Sequence, residues 1–131
     1  MHELTIAKNI VEIVEEEVEK IGNVIKVKEI YFKAGALNAV IPESLIFSFD
    51  IVKSESKILR EAVLKFEEIP IKIKCNNCDY EGILKVPEFF CPECGSTKLD
   101  VLYGKEMYVE RIIVEEEKDG DKNSQESFGS K

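Results

Sequence analysis

Three things are scarce in this 131-residue chain: histidine, of which it has one, long apolar runs, and positive charge, with 18 basic residues against 26 acidic. A net charge of −8 repels phosphate backbones, whose binding depends on Lys and Arg displacing condensed counterions, so nucleic acid is not expected as a partner. The segment 118–131 holds as many basic as acidic residues, so the acidic excess belongs to the first 117. No apolar stretch approaches the ~20 residues that a membrane span needs. Glu3 and Lys8 interrupt the N-terminus too early for a signal peptide. No membrane partner is expected, and the cytoplasm is the expected compartment. The chain also lacks a G-x-x-x-x-G-K-S/T loop, so nucleotide hydrolysis is not expected of it.

What is present suits a small globular unit, with 44% hydrophobic and 34% charged residues. Leu4, Ala7, Ile10, Val11, Val14, Val18 and Ile21 recur at helical spacing with glutamates between them, and Gly22-Asn23 supplies the stop. Val24 to Ala34 is rich in β-branched and aromatic residues and reads as a strand ended by Gly35. Pro42 suits the first turn of a second helix, running to about Lys53, with Leu45, Ile46, Phe49 and Val52 as its apolar stripe. Glu61 to Lys74 returns to strand character, with Pro70 at an edge or bulge. Leu99–Tyr103 and Glu106–Glu116 read as two strands around Gly104, a hairpin. The expected fold class is α+β: two helices on one face of a small, mostly antiparallel sheet of about three to four strands, with an inserted zinc-ribbon-like lobe. The α+β domain would comprise 1–74 plus 98–117, the lobe 75–97, and 118–131 a disordered tail, polar and without periodicity.

All four cysteines lie in the inserted segment, as Cys75-x2-Cys78-x12-Cys91-x2-Cys94. Two C-x-x-C pairs at this separation suit a tetrahedral zinc ion, each pair forming a knuckle that turns backbone amides toward its sulfurs. Pro92 fixes a turn, and Gly95 accepts the positive φ that follows the second thiolate. Disulfides are disfavoured in the cytoplasm, and a thioredoxin-like redox site would use one C-x-x-C opening a helix, not two matched pairs. Four thiolates complete a tetrahedron and leave no position for water or substrate, so the ion is expected to be structural. Leu84, Val86, Phe89 and Phe90 are the candidate apolar packing of this lobe.

The single histidine is His2, within Met-His-Glu. A terminal amine, the deprotonated amide of residue 2 and its imidazole Nδ1 can form two fused chelate rings in one plane. The amide or carboxylate of Glu3 could supply the fourth donor. Nitrogen-rich tetragonal sites of this kind suit Ni(II) or Cu(II). The ordinary reading of a histidine near a terminus is a solvated, mobile residue.

Taken together, "MHEL", a following helix, a glycine before Leu37 and the C-x2-C-x12-C-x2-C-G lobe resemble the HypA/HybF family of nickel metallochaperones for nickel-iron hydrogenase maturation, from Met1 to about Glu117. The resemblance implies nickel at Met1, His2 and Glu3 and zinc at Cys75, Cys78, Cys91 and Cys94. It further implies transfer without catalysis: nickel accepted with the help of the GTPase HypB and passed to the hydrogenase large-subunit precursor, with some members also serving urease maturation. Two departures stand out. Ala36 in "AGALNAV" occupies a position where members often have an acidic residue, and no histidine flanks the cysteine pairs. The rival readings are a zinc-ribbon protein-interaction module with an incidental N-terminal histidine and a zinc enzyme. The enzyme reading lacks three protein ligands around an open position.

Overall fold

The structure, a computed structural model, describes residues 2–84, 89–117 and 123–127. Helix α1 (Glu3–Ile21) buries Ile6, Ala7, Ile10, Val11, Val14 and Val18 along one stripe and leaves Glu12, Glu15, Glu16 and Glu19 in solvent. It stops where the sequence says it should. Gly22 and Asn23 take φ of 72° and 59°, and the Gly22 N–H closes the last turn on the Val18 carbonyl at 3.0 Å.

Strand β1 (Val24–Gly35) leads through a single 3-10 turn at Ala36–Asn38 into helix α2 (Pro42–Lys53), whose proline sits in the first turn. Next come β2 (Val63–Ile69), β3 (Ile71–Cys75), β4 (Glu81–Leu84), β5 (Leu99–Tyr103), β6 (Met107–Glu116) and β7 (Asn123–Ser127). They form two sheets, ordered β2-β1-β6-β7 and β4-β3-β5. Only β1 with β2 is a parallel pair among the described strands. The alternating apolar residues of β1 and β6, Val27, Ile30, Phe32, Val109, Ile112 and Val114, face both helices and make one core with Leu45, Phe49, Leu59 and Leu64.

The structure departs from the sequence expectation at four places. Glu61–Lys74 is not one strand: Pro70, which has no N–H to give a ladder, marks the break at which the chain leaves the first sheet and enters the second. Leu99–Tyr103 and Glu106–Glu116 are not a hairpin, because β5 pairs with β3 and β6 with β1. Gly104, at φ 119°, carries the chain between the sheets. The second sheet therefore reaches beyond the boundaries at 75 and 97 and takes in Ile71–Lys74 and Leu99–Tyr103. Within the expected tail, Asn123–Ser127 is a strand whose backbone pairs with β6, from Glu115↔Asn123 to Arg111↔Ser127. An open β6 edge offers those hydrogen bonds without any need for apolar side chains. The rest of 118–131 lies outside the described residues.

The two sheets meet at a close glycine contact. A Cβ on Gly35 would overlap the Gly104 carbonyl group, and one on Gly104 would lie 2.7 Å from Ile71 Cα. The Leu37 N–H donates to the Gly104 carbonyl at 3.0 Å, and Asn38 Nδ2 reaches the carbonyls of Gly35, Lys105 and Glu106 at 3.3, 3.2 and 2.9 Å. Glu106 Oε1 accepts the Gly104 N–H at 2.9 Å, which holds its carboxyl below the usual carboxylate range. Ala36 and Leu37 pack on Ile71, Ile73 and Leu84, so the position where an acidic residue was expected from the resemblance here contributes to the seam between the sheets.

Candidate metal centre

The antiparallel β3-β4 pair delivers the first two cysteines. Cys75 ends β3, and the turn through Asn76–Asp79 returns the chain to β4. The Asp79 N–H donates to the Cys75 carbonyl at 3.0 Å and the Cys75 N–H to the Tyr80 carbonyl at 2.7 Å. The second pair repeats this turn: the Gly95 N–H donates to the Cys91 carbonyl and the Cys91 N–H to the Ser96 carbonyl, both at 2.8 Å. Each turn needs positive φ after its second cysteine, met by Gly95 at 78° and by Asp79 at 65°. The sequence signalled Gly95. It carried the other signal less visibly, since aspartate tolerates the left-handed region better than most residues.

The turns also aim amides at sulfur. The N–H groups of Asn77 and Glu93 point at Cys75 Sγ and Cys91 Sγ at 3.3 and 3.4 Å, and those of Tyr80 and Ser96 serve Cys78 and Cys94. Asn77 Nδ2 adds a contact to Cys94 Sγ at 3.6 Å. These supporting groups were not singled out from sequence, although the i+2 spacing after each cysteine is their signature.

The four sulfurs lie within 4.8 Å of one another, with Cys75 to Cys94 at 3.7 Å and Cys78 to Cys91 at 3.5 Å. A disulfide requires about 2.05 Å, so the cysteines are unlinked thiols. A tetrahedral zinc site with Zn–S of about 2.3 Å has sulfur–sulfur edges of about 3.8 Å, so the donor set fits such an ion in chemistry and size. Crowding splits the thiols. The Ser96 N–H and the Asn77 amide bring Cys94 down to about 6, whereas Cys78, despite the lowering effect of the Tyr80 N–H, is pushed up to about 12 by desolvation and the neighbouring sulfurs. Cys75 and Cys91 are buried, while Cys78 and Cys94 are exposed on the outer side. The expected apolar support is only partly present. Leu84 is buried, Phe89 and Phe90 are exposed, and Val86 lies outside the described residues.

The N-terminal residues behave differently. His2 is the cap of α1, extended at φ −88° and ψ 92°, and solvent-exposed. Its carbonyl accepts the Ile6 N–H at 3.1 Å, which opens the helical ladder. Glu3 turns away to α2, where its Oε2 accepts the Ile41 N–H at 3.1 Å; that bond lowers its carboxyl pKa. Met1 lies outside the described residues. Among the described residues, the four cysteines are the one group of three or more His, Cys, Asp or Glu donors gathered closely enough to hold a metal. No described helix is long and apolar enough to cross a membrane.

Comparison with known proteins agrees with this picture. Residues 1–114 match the family model described as hydrogenase/urease nickel incorporation, metallochaperone, hypA. The hydrogenase maturation factor HypA of Desulfatibacillum aliphaticivorans is 41% identical over 127 residues, covering 95% of this chain and 97% of that one. That of Methanococcus aeolicus is 37% identical over 121 residues, covering 88% and 98%. The solution structure of the Ni metallochaperone HypA from Helicobacter pylori shares the fold at a TM-score of 0.58 and 20% identity, over 83% of this chain and 93% of that one. A second HypA solution structure does so at 0.61 and 19%, over 86% and 94%. By sequence along nearly its whole length, with a four-cysteine cluster in an α+β fold shared by solved HypA structures, the chain belongs to the HypA family of hydrogenase/urease nickel-incorporation metallochaperones.

Proposed function

We propose that this chain carries one Ni(II) at its N-terminus and delivers it for nickel-iron hydrogenase maturation, while a Zn(II) held by Cys75, Cys78, Cys91 and Cys94 keeps the lobe folded. The observation that carries the nickel assignment is the position of His2 at the head of α1. The first N–H groups of a helix have no partner in its ladder, so the amides of His2 and Glu3 can lose their protons to a metal without breaking a helical hydrogen bond. The nickel donors are then the Met1 amine, the His2 amide nitrogen and Nδ1, and the Glu3 amide nitrogen. Glu3 Oε2 is already engaged with Ile41, so its carboxylate serves as a strap between the two helices.

The role of each site follows from its coordination. Four thiolates close a tetrahedron, so the zinc supplies fold energy and leaves no position for substrate or water. A nickel site made from a chain end can be presented to a receiver and unwrapped with the core intact. The chain performs no reaction of its own; nucleotide hydrolysis belongs to a HypB-type GTPase partner. The receivers are the hydrogenase large-subunit precursor and, in a urease-containing cell, the urease maturation proteins. All of this takes place in the cytoplasm. By the Irving–Williams order the isolated site binds Cu(II) more tightly than Ni(II), so selectivity comes from partners and metal supply.

The test is a Ni(II) titration of zinc-loaded protein with a free Met1 amine, followed by visible absorption, beside His2→Ala and a variant with two residues placed before Met1. One nickel with a square-planar band in the parent, lost in both variants, supports the carrier. Identical behaviour of all three makes His2 a bystander and favours the zinc-ribbon interaction module.

A further inference from the structure

Helix α2 is apolar on two sides, and only one of them is covered. Leu45 and Phe49 are fully buried in the main core, with Ile46 and Val52 packed beside them. Phe47 and Ile51, one turn apart, stand on the opposite side of the helix and are 68% and 53% exposed. Phe47 is the most exposed large apolar side chain among the described residues. Ile41, at the N-cap, is exposed as well, and the small side chain of Ser44 leaves a notch between it and Phe47. The packed stripe is complete without these residues, so burial in this chain does not account for an exposed Phe-Ile ridge.

Charge narrows the occupant. Glu43 continues the ridge one turn before Phe47, and Asp50 borders it on the same flank, both exposed. Lys53, the one cation of α2, is drawn back to the body of the protein: its Nζ donates to the Ala62 carbonyl at 2.7 Å, lies 5.7 Å from the Phe49 ring centroid and reaches Asp50 Oδ1 at 3.2 Å. Its side chain is only 17% exposed. The flank that a visitor meets is therefore edged by carboxylates. In a two-fold antiparallel pairing of two α2 helices this flank meets itself and sets like charges together, which disfavours a second copy. A basic partner is complementary to it.

We propose that the Phe47–Ile51 ridge docks an amphipathic helix of a partner protein, its apolar side laid along the ridge and its Lys or Arg residues along the border that faces Glu43 and Asp50. Ile41, whose N–H is held by Glu3 Oε2 at 3.1 Å, lies about 9 Å of helix rise before Phe47. A helix docked here therefore lies near the segment that bears His2. That link to nickel transfer rests on the carrier reading above, whereas the docking surface stands on its own geometry.

The probe is a labelled synthetic helix with leucine along one side and lysine along the other, added to the zinc-loaded full chain and followed by fluorescence anisotropy. Phe47→Ser should weaken its binding about tenfold and Ile51→Ser by a smaller factor, while Ile25→Ser, at an exposed apolar residue of β1, leaves it unchanged. Glu43→Lys combined with Asp50→Lys should reverse the preference toward a peptide with glutamate in place of lysine. The two readings fail separately: Phe47→Ser is expected to keep one Ni(II), whereas His2→Ala loses nickel and keeps the peptide. Equal affinity in Phe47→Ser and Ile25→Ser overturns the proposal, as does indifference to the charge of the peptide. Self-association of the parent that Phe47→Ser abolishes overturns it in favour of a second copy as the occupant.

Discussion

Among the described residues, three buried apolar side chains, Ile71, Ile73 and Leu84, form the core of the cysteine-bearing sheet, whereas nineteen fill the space between the other sheet and its two helices. The larger layer closes without help. Its apolar stripes face each other across α1, α2, β1 and β6, and each fully buried Val, Leu, Ile or Phe contributes about 1.5–3 kcal/mol. Among its described residues the lobe has one layer, exposes Phe89 and Phe90, and borrows Ala36 and Leu37 from the turn after β1. A sheet this thin cannot offset its ordering entropy by burial, and on the proposed reading a zinc held by the four sulfurs supplies what the core lacks. The two regions therefore differ in how they tolerate change. Packing spreads stability over many residues, whereas a metal site concentrates it in four.

The sharpest way to break this contrast is to take the metal away. Apparent zinc-binding energies of about 10–16 kcal/mol in small zinc domains are folding energy. Chelation of the zinc-loaded chain, or Cys91→Ser, is therefore expected to abolish amide protection across β3, β4 and β5 while β1 and β6 keep theirs. Hydrogen exchange resolved by residue reads this directly. Equal loss in both sheets would show that they fold as one unit. Next in size is the seam. Gly35→Ala puts a methyl against the Gly104 backbone, which neither chain segment can yield without moving a sheet, and should cost about 3 kcal/mol in denaturant unfolding. An alanine there without penalty would mean that the sheets are not held together at this contact.

A pH change probes the same seam more gently. Glu106 has a lowered carboxyl pKa because its ionised form accepts the Gly104 N–H, so its contribution is present above the ordinary carboxylate value of 4.5. It is lost as pH falls through the lowered folded value. Glu106→Gln keeps an acceptor and should flatten this acid limb, measured as unfolding midpoint against pH. A limb of unchanged steepness would assign the acid sensitivity elsewhere. The smallest effect is expected at the helix strap: Glu3→Ala should free the Ile41 amide to exchange while leaving nickel stoichiometry at one. Loss of nickel in Glu3→Ala would return the carboxylate to the ligand set.

Local chemistry made much of this legible in the sequence. The α1 stripe, Gly22-Asn23, Pro42 and the cysteine spacing each act within a few residues, and each sits where the pattern put it. What stayed hidden depends on partners far along the chain. Strand character in Leu99–Tyr103 and Glu106–Glu116 was visible, but not that Gly104 would send them to different sheets, because that rests on its contact with Gly35. The polar residues Asn123–Ser127 gave no strand signal since their pairing is made by backbone. At the metal centre the cysteines and Gly95 were readable, whereas Asp79 and the sulfur-directed amides emerge only once the two turns are superimposable in form.

On the proposed reading the two metals use chemically different ends of the molecule, sulfur in the lobe and nitrogen at the N-terminus. X-ray absorption at both edges of the same sample, zinc-loaded protein with a free Met1 amine plus one equivalent of Ni(II), tests it most directly. Four sulfurs around zinc, and only nitrogen or oxygen around a square-planar nickel, are predicted. Sulfur in the nickel shell, or fewer than four sulfurs around zinc after nickel is added, would show nickel entering the cysteine site and would contradict the division of labour.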